Sequence, residues 1–366
     1  MKKSFFQLLS LLILVGLSGC IKDEKPNIEV DILKVSSPEG NILNVVFSSD
    51  LIDIFVTPGT DLATLDLDFA ISEGATITPK PEEVTDYTTD RRFTVTSEDR
   101  AWSKAYTVSV RPANLPTRFR FESWRQPERM RYRIPFESTT DAEGNETTLN
   151  IWACGNEAYN FLTDKFDDYT VFPTQPTSEA AEGSLAAKLI TRLTGQIDRP
   201  IASGNLFIGS FDASLRDPLE STQFGLPFML KPLRFTGKYK YRSGGATLKS
   251  GKPDCCKIQA VLYRTSPGVS HLNGYSIKNS PNIVARAELP ETDGDDTPGD
   301  GFATFDIPFA YTAAIDPAAL SSGGYNLAVI FSASRNGDVY DGAPESVLLV
   351  DDVEIICEQP TDTDQL

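Results

Sequence analysis

The sequence predicts an all-β protein of two sandwich domains, and three observations carry that reading. Its 24 Pro and 25 Gly interrupt the chain at short intervals, and long runs of Ala, Leu, Glu and Lys are few. That composition favours strands and turns over helix bundles. Apolar and polar residues alternate in many short segments, the period of a half-buried strand. At 366 residues the chain also exceeds what one compact core usually needs. The charge balance narrows function as well. Lys and Arg number 34 against 51 Asp and Glu, a net charge of −17, so no nucleic-acid partner is expected, because a phosphate backbone demands a basic face. One histidine, His271, excludes His-rich metal sites and leaves a single candidate imidazole base.

Residues 1–19 read as an export leader. Lys2 and Lys3 form a basic start, Phe5 to Val15 an apolar stretch too short for a permanent membrane span, and Leu17-Ser18-Gly19 precede Cys20. This ending resembles the bacterial lipobox, which implies acylation of Cys20 and a protein held by its lipid. Loss of the leader removes two lysines and takes the net charge from −17 to −19. Such acidity suits a lipid tether rather than attraction to anionic headgroups. Residues 20–25 form that tether. Asp23 and Glu24 resemble the signal that sends lipoproteins of glycan-scavenging Gram-negative bacteria to the outer face of the outer membrane, although a solvated tether would be charged in any case.

Residues 26–112 form the first domain. Leu65–Ile71, Phe93–Val95 and Tyr106–Val110 alternate with the strand period, and Ser97-Glu98-Asp99-Arg100 supplies a turn. Strands and turns at this spacing predict an immunoglobulin-like β-sandwich. Phe93–Val110 also resembles the immunoglobulin-like spacer domains of bacterial surface lipoproteins, and no catalytic cluster lies in it. Two prolines, Pro112 and Pro116, mark a stiff linker at 113–117.

The second domain covers residues 118–357, before a polar tail at 358–366. Strand candidates are Thr148–Trp152, Leu185–Leu193, Asn205–Phe211, Phe235–Tyr241, Ile258–Tyr263, Ile283–Leu289, Ala303–Ile307, Tyr325–Phe331 and Val347–Ile356. Thr177–Ala187 is the one contender for a helix, and Gly183 weakens it. Many strands with no helices between them predict a larger jelly-roll β-sandwich.

Enzyme motifs mostly fail. There is no G-x-S-x-G. Gly245 and Gly251-Lys252 are one residue too far apart for a phosphate loop, and Pro253 stands where Ser or Thr would hold magnesium. Asp293-Gly294-Asp295-Asp296 lacks the glycine of an EF-hand and reads as an exposed hairpin loop. His271 lies in a turn-like stretch and reads as a solvated loop residue. Two carboxylates roughly 5–10 Å apart would suffice for a glycosidase, but 51 acids nominate no pair. Cys154, Cys255, Cys256 and Cys357 allow three pairings or free thiols, and no CxxC supports a redox or zinc site.

The two ends of the second domain are more specific. Arg118-Phe119-Arg120-Phe121-Glu122-Ser123-Trp124 opens it, and Leu348-Leu349-Val350-Asp351-Asp352-Val353 closes it. This pairing resembles jelly-roll carbohydrate-binding modules, in which such carboxylates commonly hold a structural calcium. The resemblance implies Glu122 with Asp351 or Asp352 as ligands; alternation turns one of the two aspartates to solvent. A charge within an apolar strand is costly unless paired or liganded.

Further pieces lie between those ends: Trp152-Ala153-Cys154-Gly155-Asn156, Ser203-Gly204-Asn205 through Phe211, Gly225-Leu226-Pro227-Phe228, Gly237 through Tyr241, Asn336-Gly337-Asp338, and Gly342 with Ser346–Asp352. As an ordered set they resemble the "putative carbohydrate metabolism domain" of surface lipoproteins. Cys154 departs from the small polar residue expected there. The resemblance implies a carbohydrate-linked jelly roll and supplies no catalytic residues.

Aromatics then become the binding candidates, since rings pack on sugar faces while polar groups reach the hydroxyls. Trp152, Asn156, Glu157 and Tyr159 cluster where a strand ends, and Tyr239 and Tyr241 share one strand face opposite Lys238 and Lys240. Each ring could equally be core. The expectation is a lipid-anchored surface protein whose second domain binds, or helps to process, a glycan; a hydrolase with a carboxylate pair and an adhesin without a sugar site are the alternatives.

Overall fold

The computed structural model describes residues 26–359 apart from 114, 129, 141–145, 163–167, 213–216, 292–295 and 299. The leader, Cys20 and its acidic tether, Asp293 to Asp295, and residues 360–366 of the tail lie outside the described residues. Among the described residues strands dominate, and the α-helical segments Asn156–Tyr159, Pro218–Ser221 and Pro317–Ser321 are about one turn each. None of these helices is long and apolar enough to cross a membrane.

The first domain is a sandwich of a five-stranded and a two-stranded sheet. Ile42–Ser48, Leu51–Val56, Ser103–Pro112, Arg91–Thr96 and Thr76–Thr78 neighbour one another in that order, while Ile32–Ser36 pairs with Asp68–Ile71. The alternation read from the sequence supplies the core, where Leu65, Leu67, Phe93, Val95, Tyr106, Val108 and Val110 are buried together. Arg100, at φ 59°, closes the predicted turn, and the Asp99 carboxylate accepts the Ala101 N–H at 2.8 Å.

The second domain packs two larger sheets face to face. One contains Trp152–Ala153, Asn205–Phe211, Tyr325–Ser332, Lys257–Arg264, Ile283–Glu288 and Ala310–Tyr311 in that order; the other contains Thr174–Thr177, Ala186–Ile190, Val347–Cys357, Pro232–Arg242 and Ala303–Pro308. Leu206, Ile258, Leu327 and Phe331 from the first meet Leu189, Phe235, Tyr241 and Val350 from the second in a continuous core. The predicted strands are present, but two are broken. Thr148–Trp152 divides at Asn150, which leaves the ladder to bond Asp53 and Arg125, and Leu185–Leu193 divides at Thr191.

Thr177–Ala187 is not helical. It is a strand end, a loop and the start of the Ala186–Ile190 strand. Side-chain carboxylates take the backbone N–H groups that a helix would satisfy internally: Asp351 accepts those of Ala181 and Glu182 at 2.7 and 2.9 Å.

The described residues of the proline segment at 113–117 are packed rather than exposed. Ala113 and Leu115 are buried in the core of the second domain, together with Val46 and Phe55 of the first. Polar groups interlock beside them. Arg111 pairs with buried Asp53 at 2.8 Å, Asn150 donates to the same carboxylate at 3.1 Å, and Arg125 bridges Asn150 to Ser48. The first domain is joined to the second by a hydrogen-bonded, apolar interface.

Candidate functional site

The site follows from strand alternation. In the three central strands of the larger sheet, alternate residues face the core and the other face lies beneath surface loops. Register sets Asn205 beside Ser332 and Ser332 beside Lys257; two residues along, Phe207, Ile330 and Gln259 form the next row. These six side chains contribute to the floor of a groove of about 280 Å³. Its walls come from 155–162, the 194–203 hairpin, Pro218–Phe224, 274–278 and 335–340.

Two close approaches shape those walls. A Cβ on Gly274 would come within 2.7 Å of Leu219, and one on Gly337 within 2.3 Å of the Ser203 Cβ. The pieces at Gly155-Asn156 and Asn205 meet at one end. Asn205 accepts the Gly155 N–H at 2.8 Å, while the Asn156 amide bonds both backbone groups of Thr174 at 2.6 and 3.1 Å.

Tyr159, Phe211 and Tyr340 are partly exposed rings along the groove. Tyr340 has φ 58°, the left-handed region that a bulky residue rarely adopts. The Lys249 ammonium and Arg199 guanidinium lie 5.2 and 5.8 Å from its ring centre.

Among the described lining residues, Arg199, Lys257, Lys278 and Arg335 carry positive charge and Asp338 alone carries negative charge. Asp338 pairs with Lys278 at 2.5 Å. Arg335 pairs with Glu288 at 2.7 Å, and Arg286 donates to Gln259 at 2.7 Å. The Lys257 ammonium has neither a hydrogen bond nor an ion pair with any described residue. Burial pushes its ammonium below the usual lysine range; Asp338 and Glu288 pull it up, while Arg335 and Lys278 push it down.

The sequence-predicted residues divide between core and groove. Trp152 is buried between Phe119 and Phe121, and its indole N–H donates to Glu137 at 3.0 Å. Tyr239 and Tyr241 face the core, the former packed on Phe305. These three rings are core; alternation that set the two tyrosines opposite the lysines turned them inward. Asn156 and Tyr159 do line the groove. Glu157, on the same turn, is not a lining residue, and burial with the nearby Asp212 carboxylate raises its pKa.

Glu122 and Asp351 do converge, but on the 181–185 loop. Glu122 accepts the N–H of Ser184 at 3.0 Å and its hydroxyl at 2.7 Å; Asp351 accepts the N–H groups of Ala181, Glu182 and Asp352. Asp352 sits at φ 43° and is partly exposed. All four oxygens of the Glu122 and Asp351 carboxylates thus accept N–H or O–H donors. A cation needs oxygen ligands, and no group of three or more metal-ligating side chains occurs among the described residues. In this arrangement both carboxylates are satisfied by the chain's own donors.

The phosphate-loop lookalike is closed in the same way, since Asp341 takes the Lys249 and Ser250 N–H groups. His271 meets the Ser270 hydroxyl at 3.2 Å, and burial lowers its pKa. The four described cysteines are free thiols.

Residues 120–356 match the family described as "Putative carbohydrate metabolism domain". The chain belongs to that family. Within the same chain, residues 32–110 match a second description, "SGBP, N-terminal", the N-terminal domain of surface glycan-binding proteins. A solved structure from Bacteroides thetaiotaomicron VPI-5482, described as a "putative glycoside hydrolase", is 34% identical with a TM-score of 0.83. It aligns over 93% of this chain and 100% of its own. Another of the same description, from Bacteroides vulgatus ATCC 8482, is 32% identical with a TM-score of 0.58, over 66% of this chain and 98% of its own. No curated protein matches closely enough to be counted a relative.

Sequence reasoning missed Lys257, Phe211 and Tyr340. Lys257 and Gln259 were readable as polar positions alternating with Ile258 and Ala260 in an otherwise apolar strand. Tyr340 carried no signal beyond following the family piece at 336–338.

Proposed function

We propose that the groove of the second domain binds a saccharide, in a surface glycan-binding protein anchored at the outer membrane through an acylated Cys20. The observation that carries this is the lining itself: partly exposed rings at Tyr159, Phe211 and Tyr340 beside hydrogen-bonding groups from Asn205, Ser332 and Lys257. Rings cover the apolar faces of a sugar, and amide, hydroxyl and ammonium groups reach its hydroxyls. Membership of a carbohydrate metabolism family and the match of the first domain to surface glycan-binding proteins support the reading.

The first domain then serves as a rigid base. Its buried interface would hold the groove in a fixed orientation relative to the lipid-bearing end, rather than letting it swing on a linker. Hydrolysis would call for two carboxylates flanking a bond, and the described lining offers Asp338 alone, already paired with Lys278.

A glycan array with the full chain, followed by product analysis, tests the proposal. Binding without new reducing ends is expected, with about a tenfold loss in Tyr340→Ala, which removes a ring without touching the core. Turnover abolished by Asp338→Asn would instead make the protein a hydrolase.

A further inference from the structure

The charge around the groove runs against the charge of the chain. The protein carries a net charge of −17, which repels acidic ligands over most of its surface. Yet among the described residues four cations and one carboxylate line the groove. Three neighbouring acids are engaged: Asp338 with Lys278, Glu288 with Arg335, and Asp217 at the rim with the Tyr275 hydroxyl at 2.6 Å and the Leu219 N–H.

Lys257 is the charge left over. It stands on the floor, in register with Ser332 and through it with Asn205. Its strand holds it there, with Ile258 and Cys256 in the core on either side. A half-buried ammonium without a hydrogen-bond acceptor is costly unless a ligand supplies one. An anionic group entering the groove would find this ammonium with Ser332 and Asn205 beside it, and would make charge-assisted hydrogen bonds in a partly desolvated setting. A neutral hydroxyl would offer Lys257 a weaker partner.

From this geometry we infer that the groove selects an acidic saccharide, one bearing a carboxylate or a sulfate, and that Lys257 receives the anionic group. The inference rests on the reading that the groove holds a saccharide, and it adds the ligand class. Local positive potential in an acidic protein also predicts that added salt weakens binding.

The test is isothermal titration calorimetry of the full chain with three oligosaccharide probes: polygalacturonate for the carboxylate, carrageenan for the sulfate, and neutral galactan. One charged probe should bind more tightly than galactan, and salt should weaken it. Lys257→Met should lose at least about tenfold in affinity for that probe, with its melting temperature not lowered, and Lys257→Arg should keep most of the affinity. Three results overturn the inference: galactan binding as tightly as both charged probes, silence in both charged arms, or charged binding indifferent to Lys257→Met. If galactan binds and Tyr340→Ala removes that binding, the saccharide reading survives while the acidic one falls. Silence of all three probes together with a blank glycan array would remove both.

Discussion

The two faces of the larger sheet are made by the same strands and differ in one respect that separates architecture from function. On the inner face, Leu206, Ile258, Leu327 and Phe331 meet only other apolar side chains. On the outer face, Asn205, Lys257, Gln259 and Ser332 alternate with Phe207 and Ile330. Two buried carboxylates elsewhere have their partners within the chain. Asp53 has Arg111 and Asn150, and Asp254 has Ser334, Ser346 and the Ala343 N–H. The outer face holds Lys257, whose ammonium has no hydrogen-bond or ion-pair partner among the described residues. A charge satisfied internally explains the fold; a charge left unsatisfied over a groove calls for a ligand.

The sharpest way to break this comparison is to truncate one ring on each face. Phe331 is fully buried and packs near Phe121, Trp152 and Phe235. Phe331→Ala should cost about 3–5 kcal/mol, the sum of lost transfer energy and a cavity the sheets cannot close. Phe211, half-exposed at the groove, should cost about 1 kcal/mol when changed to Ala, and its effect should fall on saccharide binding. Urea unfolding of the two variants reads the difference directly. Equal losses would mean that the outer face is structural too.

What the sequence revealed follows from this alternation. Asn205–Phe211 sits at its predicted bounds, with Gly204 just before it. Period 2 places Tyr239 with Tyr241 correctly on one face, but it cannot say which face meets a second sheet, so two core rings were read as binding candidates. The groove walls come from five segments far apart in the chain, and no local pattern unites Arg199, Lys257 and Tyr340. Thr177–Ala187 is the one contender for a helix, already weakened by Gly183, and carboxylates from residues 122 and 351, distant in sequence, hold its backbone in a loop.

Glu137 gives a prediction of intermediate size, on a group buried beneath Trp152. Burial raises its pKa from 4.5 to about 7, partly opposed by the Trp152 N–H. The unfolded chain therefore releases this proton near pH 4.5, while the native state keeps it to about 7. Between those values the native state binds more protons, so stability falls as pH rises, by as much as ~3 kcal/mol once pH exceeds the folded value. Glu137→Gln keeps an acceptor for the indole and removes the titration. Thermal melts below pH 4.5 and above pH 7 should show the wild type losing stability relative to the variant across that window. Parallel curves would mean that Glu137 is ionised in the native protein.

The smallest expected effect is that of calcium, and it bears on how internally satisfied charges are recognised. Glu122 and Asp351 come together as the pairing of the first and last strands implied, yet the loop between them offers N–H groups rather than carbonyl oxygens. Gly183 fits there at φ 65°, where a Cβ would lie 1.9 Å from a Glu122 carboxylate oxygen. The corner is thus a closed set of donors around two carboxylates, and a cation would have to displace hydrogen bonds already made. Melting temperatures with excess calcium and after chelation should coincide, since a ligand raises stability only by binding the native state. A clear rise with calcium, lost in Glu122→Gln, would show that the loop opens to present its carbonyls, and the corner would then belong with the groove as a place where the chain leaves a charge for a partner.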